Sequence, residues 1–219
     1  MKIDDAIIKS YLKNVYFITG TAYAGKSTIC HMIANRLDLR HCKENYCYDD
    51  FLSLTTPKSH PHMNYFKTMK SWEAFVTRSP KAYSEWIFGV SREIAPFEII
   101  ELISLSKKKK VIVDTNIPID ILKRISDKKH VAVLLTNEDQ SVENFFDRDD
   151  PEKQFLLREI KKTKRPDHTM KTFKEGLRLI NGQKIINEFE QSGFKCFWRD
   201  KQKSLEDQYQ EVVKHFALH

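Results

Sequence analysis

Residues 20–27 read Gly-Thr-Ala-Tyr-Ala-Gly-Lys-Ser, the pattern GxxxxGK[ST] in full. No other stretch constrains the fold as tightly. The apolar run Asn14–Thr19 before it reads as a buried strand, and a helical stretch follows to about Leu37. A strand, a glycine-bounded loop and a helix opening on Lys-Ser form the setting in which this pattern cradles phosphate. The glycines let the backbone curl so that successive N–H groups point inward, and the helix N-terminus adds its dipole. Lys26 then reaches the β- and γ-phosphates, the Ser27 hydroxyl holds Mg²⁺ and Thr28 touches the α-phosphate. The chain has only 6 glycines, and two of them occupy the required positions, which speaks against a chance match. The expected nucleotide-binding set is Gly20, Thr21, Ala22, Tyr23, Ala24, Gly25, Lys26, Ser27 and Thr28.

The remaining pattern extends this unit into a sheet. His41–Tyr48, Val111–Asp114, Val131–Leu135 and Phe194–Trp198 read as further strands, and helical stretches separate them. Continuous aliphatic runs such as Val131–Leu135 suit strands buried on both faces of a parallel sheet. Strands alternating with helices predict an α/β three-layer sandwich. Lys81–Ser106 reads as a long helix carrying Tyr83, Trp86, Ile87, Val90, Ile94, Phe97 and Ile100 at threes and fours, kinked at Pro96. Ile119–Ile125 and Ser204–Phe216 read as shorter helices. Two stretches break the rhythm: 49–80, irregular with Pro57 and Pro61, and 145–170, dense in charge of both signs. With 219 residues, one domain spanning 1–219, carrying an insertion at about 49–80, is the expected organisation.

Composition excludes several classes. Hydrophobic residues make up 41% and charged residues 31%, a globular mixture. The longest apolar run is Val131–Leu135, far short of the ~18 residues that cross a bilayer, so no membrane association is expected. Met1–Asp5 carries no signal-peptide pattern, and a cytoplasmic location is expected. The four cysteines (Cys30, Cys42, Cys47, Cys196) lack CxxC spacing and read as reduced thiols; a zinc site from Cys30-His31 and His41-Cys42 fits no ligand pattern. The formal net charge of +7 suits an anionic ligand. Its basic runs, Lys107–Lys110 and 161–165, are short and far apart, unlike a nucleic-acid face.

Guanine-specific GTPases carry Asn-Lys-x-Asp after a late strand and Asp-x-x-Gly after the third. Here those places read Thr136-Asn137-Glu138-Asp139-Gln140 and Asp114-Thr115-Asn116-Ile117, and neither matches. On its loop, its element order and a single Asp114 ending the third strand, the chain resembles the P-loop small-molecule and nucleoside-monophosphate kinases. Shikimate kinase, gluconate kinase, adenylate kinase and chloramphenicol phosphotransferase are members of that class. The resemblance implies a five-stranded parallel sheet in the order 2-3-1-4-5, ATP and Mg²⁺ as cofactors, and a lid beyond the fourth strand, at about 145–170. It also implies an acceptor-orienting Asp just after the second strand, where Tyr48-Asp49-Asp50-Phe51 stands. The chain departs from the class in lacking an Arg-x-Arg lid motif, an Asp-Arg-Tyr/Phe and a Gly-Gly pair near the acceptor site.

Phosphoryl transfer requires Mg²⁺, in-line placement and cations for the γ-phosphate oxygens, not covalent catalysis. Lys26, with the lid arginines Arg148, Arg158 and Arg165, supplies those cations. Ser27 is the metal ligand, with Asp114 behind it through water. Asp49 is the expected acceptor-activating carboxylate, because it directly follows the expected strand; Asp50 is the substitute, since strand alternation lets only one point inward. Arg92 is placed at the acceptor. Each position also has a structural explanation: Asp49-Asp50 as a helix cap, Asp114 as a cap for the helix opened by Pro118, and Arg92-Glu93 as a surface pair. Trp72, Phe75 and Trp86 read as core before they read as a stacking platform, and His60 and His62 as loop residues. The expected function is MgATP-dependent phosphoryl transfer to a small molecule bearing a hydroxyl or phosphate, by a monomer or homodimer. A polynucleotide or RNA-end kinase and a non-catalytic nucleotide-dependent switch are the alternatives.

Overall fold

The structure, a computed structural model, describes residues 3–147, 150–199 and 203–218. Five strands, β1 (Val15–Gly20), β2 (Arg40–Cys42), β3 (Val111–Asp114), β4 (Val131–Leu135) and β5 (Lys195–Trp198), form one sheet. Its order is β2-β3-β1-β4-β5, and every pairing is parallel. This is the α/β sandwich, in the strand order, that the resemblance implies. The helices are α1 (Asp5–Tyr11), α2 (Lys26–Arg36), α3 (Tyr48–Ser53), α4 (Tyr65–Thr68), α5 (Trp72–Val76) and α6 (Pro80–Ser106). They continue with α7 (Ile119–Ile125), α8 (Glu138–Glu143), α9 (Pro151–Lys161), α10 (Pro166–Asn181), α11 (Gln183–Glu190) and α12 (Leu205–Phe216). No helix among the described residues is long and apolar enough to cross a membrane.

Strand alternation divides the core. Val15, Phe17, Val111, Val113, Val133 and Leu135 pack with Leu102 of α6, Leu122 of α7 and Ile186 of α11. Tyr16, Ile18, Ile112, Ala132 and Leu134 face the other way, against Ile29 and Ile33 of α2 and Val212 and Phe216 of α12. A third cluster contains no strand residue. Phe75 and Tyr83 pack there with Phe146, Ile160, Phe173 and Leu177, and Trp72 and Trp86 join its margin. The three aromatics of the 49–80 stretch and α6 are therefore core, as their helical spacing favoured.

Two expectations need correction. The second strand ends at Cys42, not Tyr48. Its three residues pair with Val111, Ile112 and Val113 of β3. Beyond Cys42 the chain turns, with Asn45 at φ 59° and Tyr46 N donating to Lys43 O. Cys42 and Tyr46 still reach one core cluster, while Tyr48 packs against another with Phe51 and Met63, so their spacing is not strand alternation. Ile100 is 68% exposed, because it lies on the face of α6 opposite the sheet. Pro96 sits inside α6 without ending it.

Gly20 sets the distance between β1 and β4. It pairs with Leu134 at φ 128°, and an added Cβ would stand 1.9 Å from the Leu134 carbonyl oxygen. Gly20→Ala is expected to destabilise the protein by at least ~3 kcal/mol, lowering Tm by about 6–12 °C for a domain of this size. A thermal melt within 2 °C of wild type would show that the two strands can part without loss.

Candidate active site

The loop between β1 and α2 is built to receive an anion. Gly20, Tyr23 and Gly25 have φ of 128°, 68° and 90°, and such interspersed left-handed residues curl the backbone into a concavity of N–H groups. Gly25 caps α2 without any side-chain hydrogen bond, so the first turn of that helix presents unsatisfied N–H groups to the loop. The loop is braced by four residues from separate elements. Thr21 accepts from Thr136 N (3.0 Å), and Asn181 Oδ1 accepts from Ala22 N (2.7 Å). Ser141 Oγ donates to Ala22 O (2.9 Å), and Arg199 donates to Tyr23 O (2.7 Å). Lys26 Nζ donates to Thr21 O at 3.1 Å, folded back over the same concavity.

Ser27 Oγ donates to Asp114 Oδ2 at 2.6 Å. Asp114 is 1% exposed, and it does not cap α7, whose N-cap Pro118 has no side-chain bond. The nearby turn is held instead by Thr115 Oγ1, which accepts from Ile117 N at 3.0 Å. Ser27 and Asp114 fit Mg²⁺, a hard cation that takes few protein oxygens and completes its shell with phosphate and water. Among the described residues no cluster of three or more His, Cys, Asp or Glu could hold a metal. All four cysteines are free, and burial, with Asp114 adding to it, pushes the Cys30 thiol far up, so it is inert.

Asp49 and Asp50 are placed differently from the expectation. Both are exposed on the first turn of α3, so strand alternation does not choose between them. Neither caps the helix by a hydrogen bond, since the N-cap is Cys47 without one. The first carboxylate after β2 is Glu44, which accepts from Asn116 Nδ2 at 2.6 Å; once the strand is known to end at Cys42, its spacing identifies it. Arg92 pairs with Asp120 of α7 through both Nη atoms at 3.2 Å. Glu93 accepts from His62 N (3.2 Å), His62 Nδ1 (2.6 Å) and Met63 N (2.8 Å). The Arg92-Glu93 pair thus anchors neighbouring segments to α6.

Arg148 lies outside the described residues. Arg158 and Arg165 are exposed; Arg158 lies 6.0 Å from the Phe155 ring, and Arg165 is the N-cap of α10. The described residues 150–170 are docked rather than free. Phe155 meets Trp72 edge-on at 4.8 Å, and Ile160 is 1% exposed. In the 49–80 stretch, the Arg78 guanidinium sits 3.9 Å from the Phe75 ring and 4.6 Å from Trp86. One aromatic cluster therefore joins both irregular stretches.

A groove of about 320 Å³ opens beside the loop, lined by Tyr23, Gln140, Trp198, Arg199, Leu205 and Gln208 among others. Sequence reasoning missed it, because its wall comes from three separate elements. The available signal was Trp198, an aromatic ending the last strand; it is 44% exposed.

Glu98 of α6 is a second buried carboxyl, also missed. Burial, with the nearby Asp114 charge adding to it, lifts Glu98 from 4.5 to about 7 against an opposing hydrogen bond from Thr115. The native state holds this proton more tightly than the unfolded chain. The associated stability is therefore fully present below pH 4.5 and lost as pH rises through about 7. Glu98→Gln should flatten the profile of unfolding free energy and gain about 2 kcal/mol over wild type above pH 7. Parallel profiles for the two proteins from pH ~4.5 to ~8 would contradict a protonated Glu98.

No family model matches the chain, and no curated protein matches it. Among solved structures it is similar to shikimate kinase from Acinetobacter baumannii in complex with shikimate. That match has 13% identity, covers 96% of this chain and 95% of the other, and has a TM-score of 0.42. It is also similar to dephospho-CoA kinase from Campylobacter jejuni, at 16% identity over 92% and 94% of the chains, with a TM-score of 0.38. Both likenesses are loose, and the site rests on its own geometry.

Proposed function

We propose that the chain is an MgATP-dependent phosphotransferase acting on a small molecule through a hydroxyl or phosphate group. The observation that carries this reading is the 2.6 Å bond between Ser27 and Asp114 beside a loop curled for phosphate. Bound Mg²⁺ would neutralise phosphate charge and align the triphosphate. Ser27 would hold it, with Asp114 acting through water. Lys26 exchanges Thr21 O for the β- and γ-phosphates, and Thr28 meets the α-phosphate. The nucleoside extends into the groove beside Trp198.

In the transfer step an acceptor oxygen attacks the γ-phosphorus, the bond to the β–γ bridging oxygen breaks, and the acceptor proton passes to a carboxylate. Asp49 is the assigned carboxylate, with Asp50 as the neighbouring choice. Glu44 competes for the role from its position just past β2. Arg158 and Arg165, with Arg148, close over the phosphates when stretch 145–170 acts as a lid. Arg92 acts at the acceptor only if it leaves Asp120.

Lys26→Ala is expected to abolish transfer while leaving Tm unchanged, because its side chain makes one bond to the loop. Retained turnover, or a melt several degrees lower, would contradict the assignment. Among Asp49→Asn, Asp50→Asn and Glu44→Gln, one variant should lose ~10²–10⁴-fold in kcat and still bind ATP. Near-normal transfer by all three would remove acceptor activation by a carboxylate. Trypsin should cut the exposed basic run 161–165 in the free protein, and an ATP analogue with Mg²⁺ should slow that cut. Equal rates would remove the lid arginines from the site. ATP turnover across a panel of metabolites and nucleosides identifies the acceptor. An oligonucleotide affinity that falls steeply with salt would favour a polynucleotide acceptor instead, and tight ATP binding without any transfer would favour a switch.

A further inference from the structure

β5 ends the sheet and pairs only with β4. Arg199 N donates to Leu135 O at 2.8 Å, and alternate residues of a parallel strand bond the same neighbour. Cys196 and Trp198 therefore turn their backbone N–H and C=O groups away from β4, toward the open side. A concavity of about 670 Å³ lies along that edge, walled by the strand and by the flank of α12.

The two faces of β5 differ in chemistry. Phe197 packs on α12 with Tyr209, Val212 and Phe216, and Lys195 Nζ lies 5.9 Å from the Phe197 ring. On that face the α12 flank adds Lys214 and His215, while Glu211 is already paired with Lys203 at 2.6 Å. Lys195 and Lys214 are both exposed. Cys196 packs on the other face with Phe189 of α11, and Trp198 joins it by alternation. The charge acting on Cys196 there is Glu190.

An unpaired strand edge is a template for another strand, and charge decides which strand fits. An antiparallel second copy would set the lysine flanks of both chains on one face, like charge against like. The same lysines attract a strand that is acidic on the α12 side. We infer that the free edge of β5 docks an acidic extended peptide as a further strand, with acidic and apolar residues alternating along it. Its backbone pairs with Cys196 and Trp198. Its acidic side chains face Lys195 and Lys214, and its apolar ones lie on Trp198, which is 44% exposed.

The test uses the full chain and an end-blocked, fluorescein-labelled peptide alternating Glu and Val, beside one alternating Lys and Val. Fluorescence polarisation should show saturable binding of the acidic peptide alone, weakening as salt rises. Hydrogen exchange at the Cys196 and Trp198 amides should slow on binding, which attraction to surface lysines by itself would not cause. Lys195→Glu with Lys214→Glu should weaken the acidic peptide about tenfold and admit the basic one. Cys196→Pro removes an outward N–H at an edge position where proline is tolerated, and should also weaken the acidic peptide about tenfold. If that variant does not fold, the charge reversal and the exchange pattern decide. Wild type that binds no acidic peptide overturns the inference, as does binding that leaves both amides exchanging freely. Protection of these amides in the protein alone, with a doubled mass as concentration rises, gives the edge to a second copy and overturns it too. Protection by a single-stranded oligonucleotide but not by the peptide has the same consequence.

Discussion

Pairing of β1 with β3 on one side and β4 on the other is the constraint on which the site depends. That double pairing places Ile18 beside Asp114 and Gly20 beside Leu134. The loop leaving β1 is consequently bounded on one side by the end of β3 and on the other by the end of β4. Ser27 finds Asp114 on the first side, and Thr21 meets Thr136 on the second. Ligands of open parallel sheets bind outside the carboxyl ends of strands where neighbouring connections diverge. In this sheet that place is the phosphate loop.

The groups around the loop are held at some expense to stability. Tyr23 adopts a left-handed backbone without being glycine, and Glu98 is buried beside another carboxylate. Gln208 Nε2 is buried without a hydrogen-bond partner among the described residues. Each of these lowers stability on its own. The apolar layers on either face of the sheet offset those terms, with six of the largest side chains (Phe17, Leu12, Ile18, Ile29, Ile33 and Ile112) less than 2% exposed or nearly so.

The two irregular stretches are coupled through one aromatic cluster, not arranged as independent flaps. Trp72 meets Phe155 across them, and Tyr83 meets Phe173 at 5.0 Å. At its far end α10 supplies Asn181 to the loop backbone. Packing thereby joins α9 to α5 through Trp72 and Phe155, and α10 to the loop after β1 through Asn181.

The sequence by itself determined the phosphate loop, the strands β1, β3 and β4 and the α/β class. These depend on short-range rules: a glycine spacing, aliphatic runs and helix periodicity. It also paired Ser27 with Asp114, through the general logic of a carboxylate ending a neighbouring strand. Tertiary structure alone decided where β2 stops, since the chain turns away from β3 after Cys42. With the strand shortened, Asp49 and Asp50 became helix residues and Glu44 became the nearest carboxylate. It also decided that Arg92 pairs with Asp120, that Glu93 holds His62, and that Glu98 comes under the influence of Asp114. The groove of Tyr23, Gln140, Trp198 and Gln208 gathers residues from distant parts of the chain. Nothing local marks such residues, because only the folded packing of α12 against the loop buries the Gln208 amide.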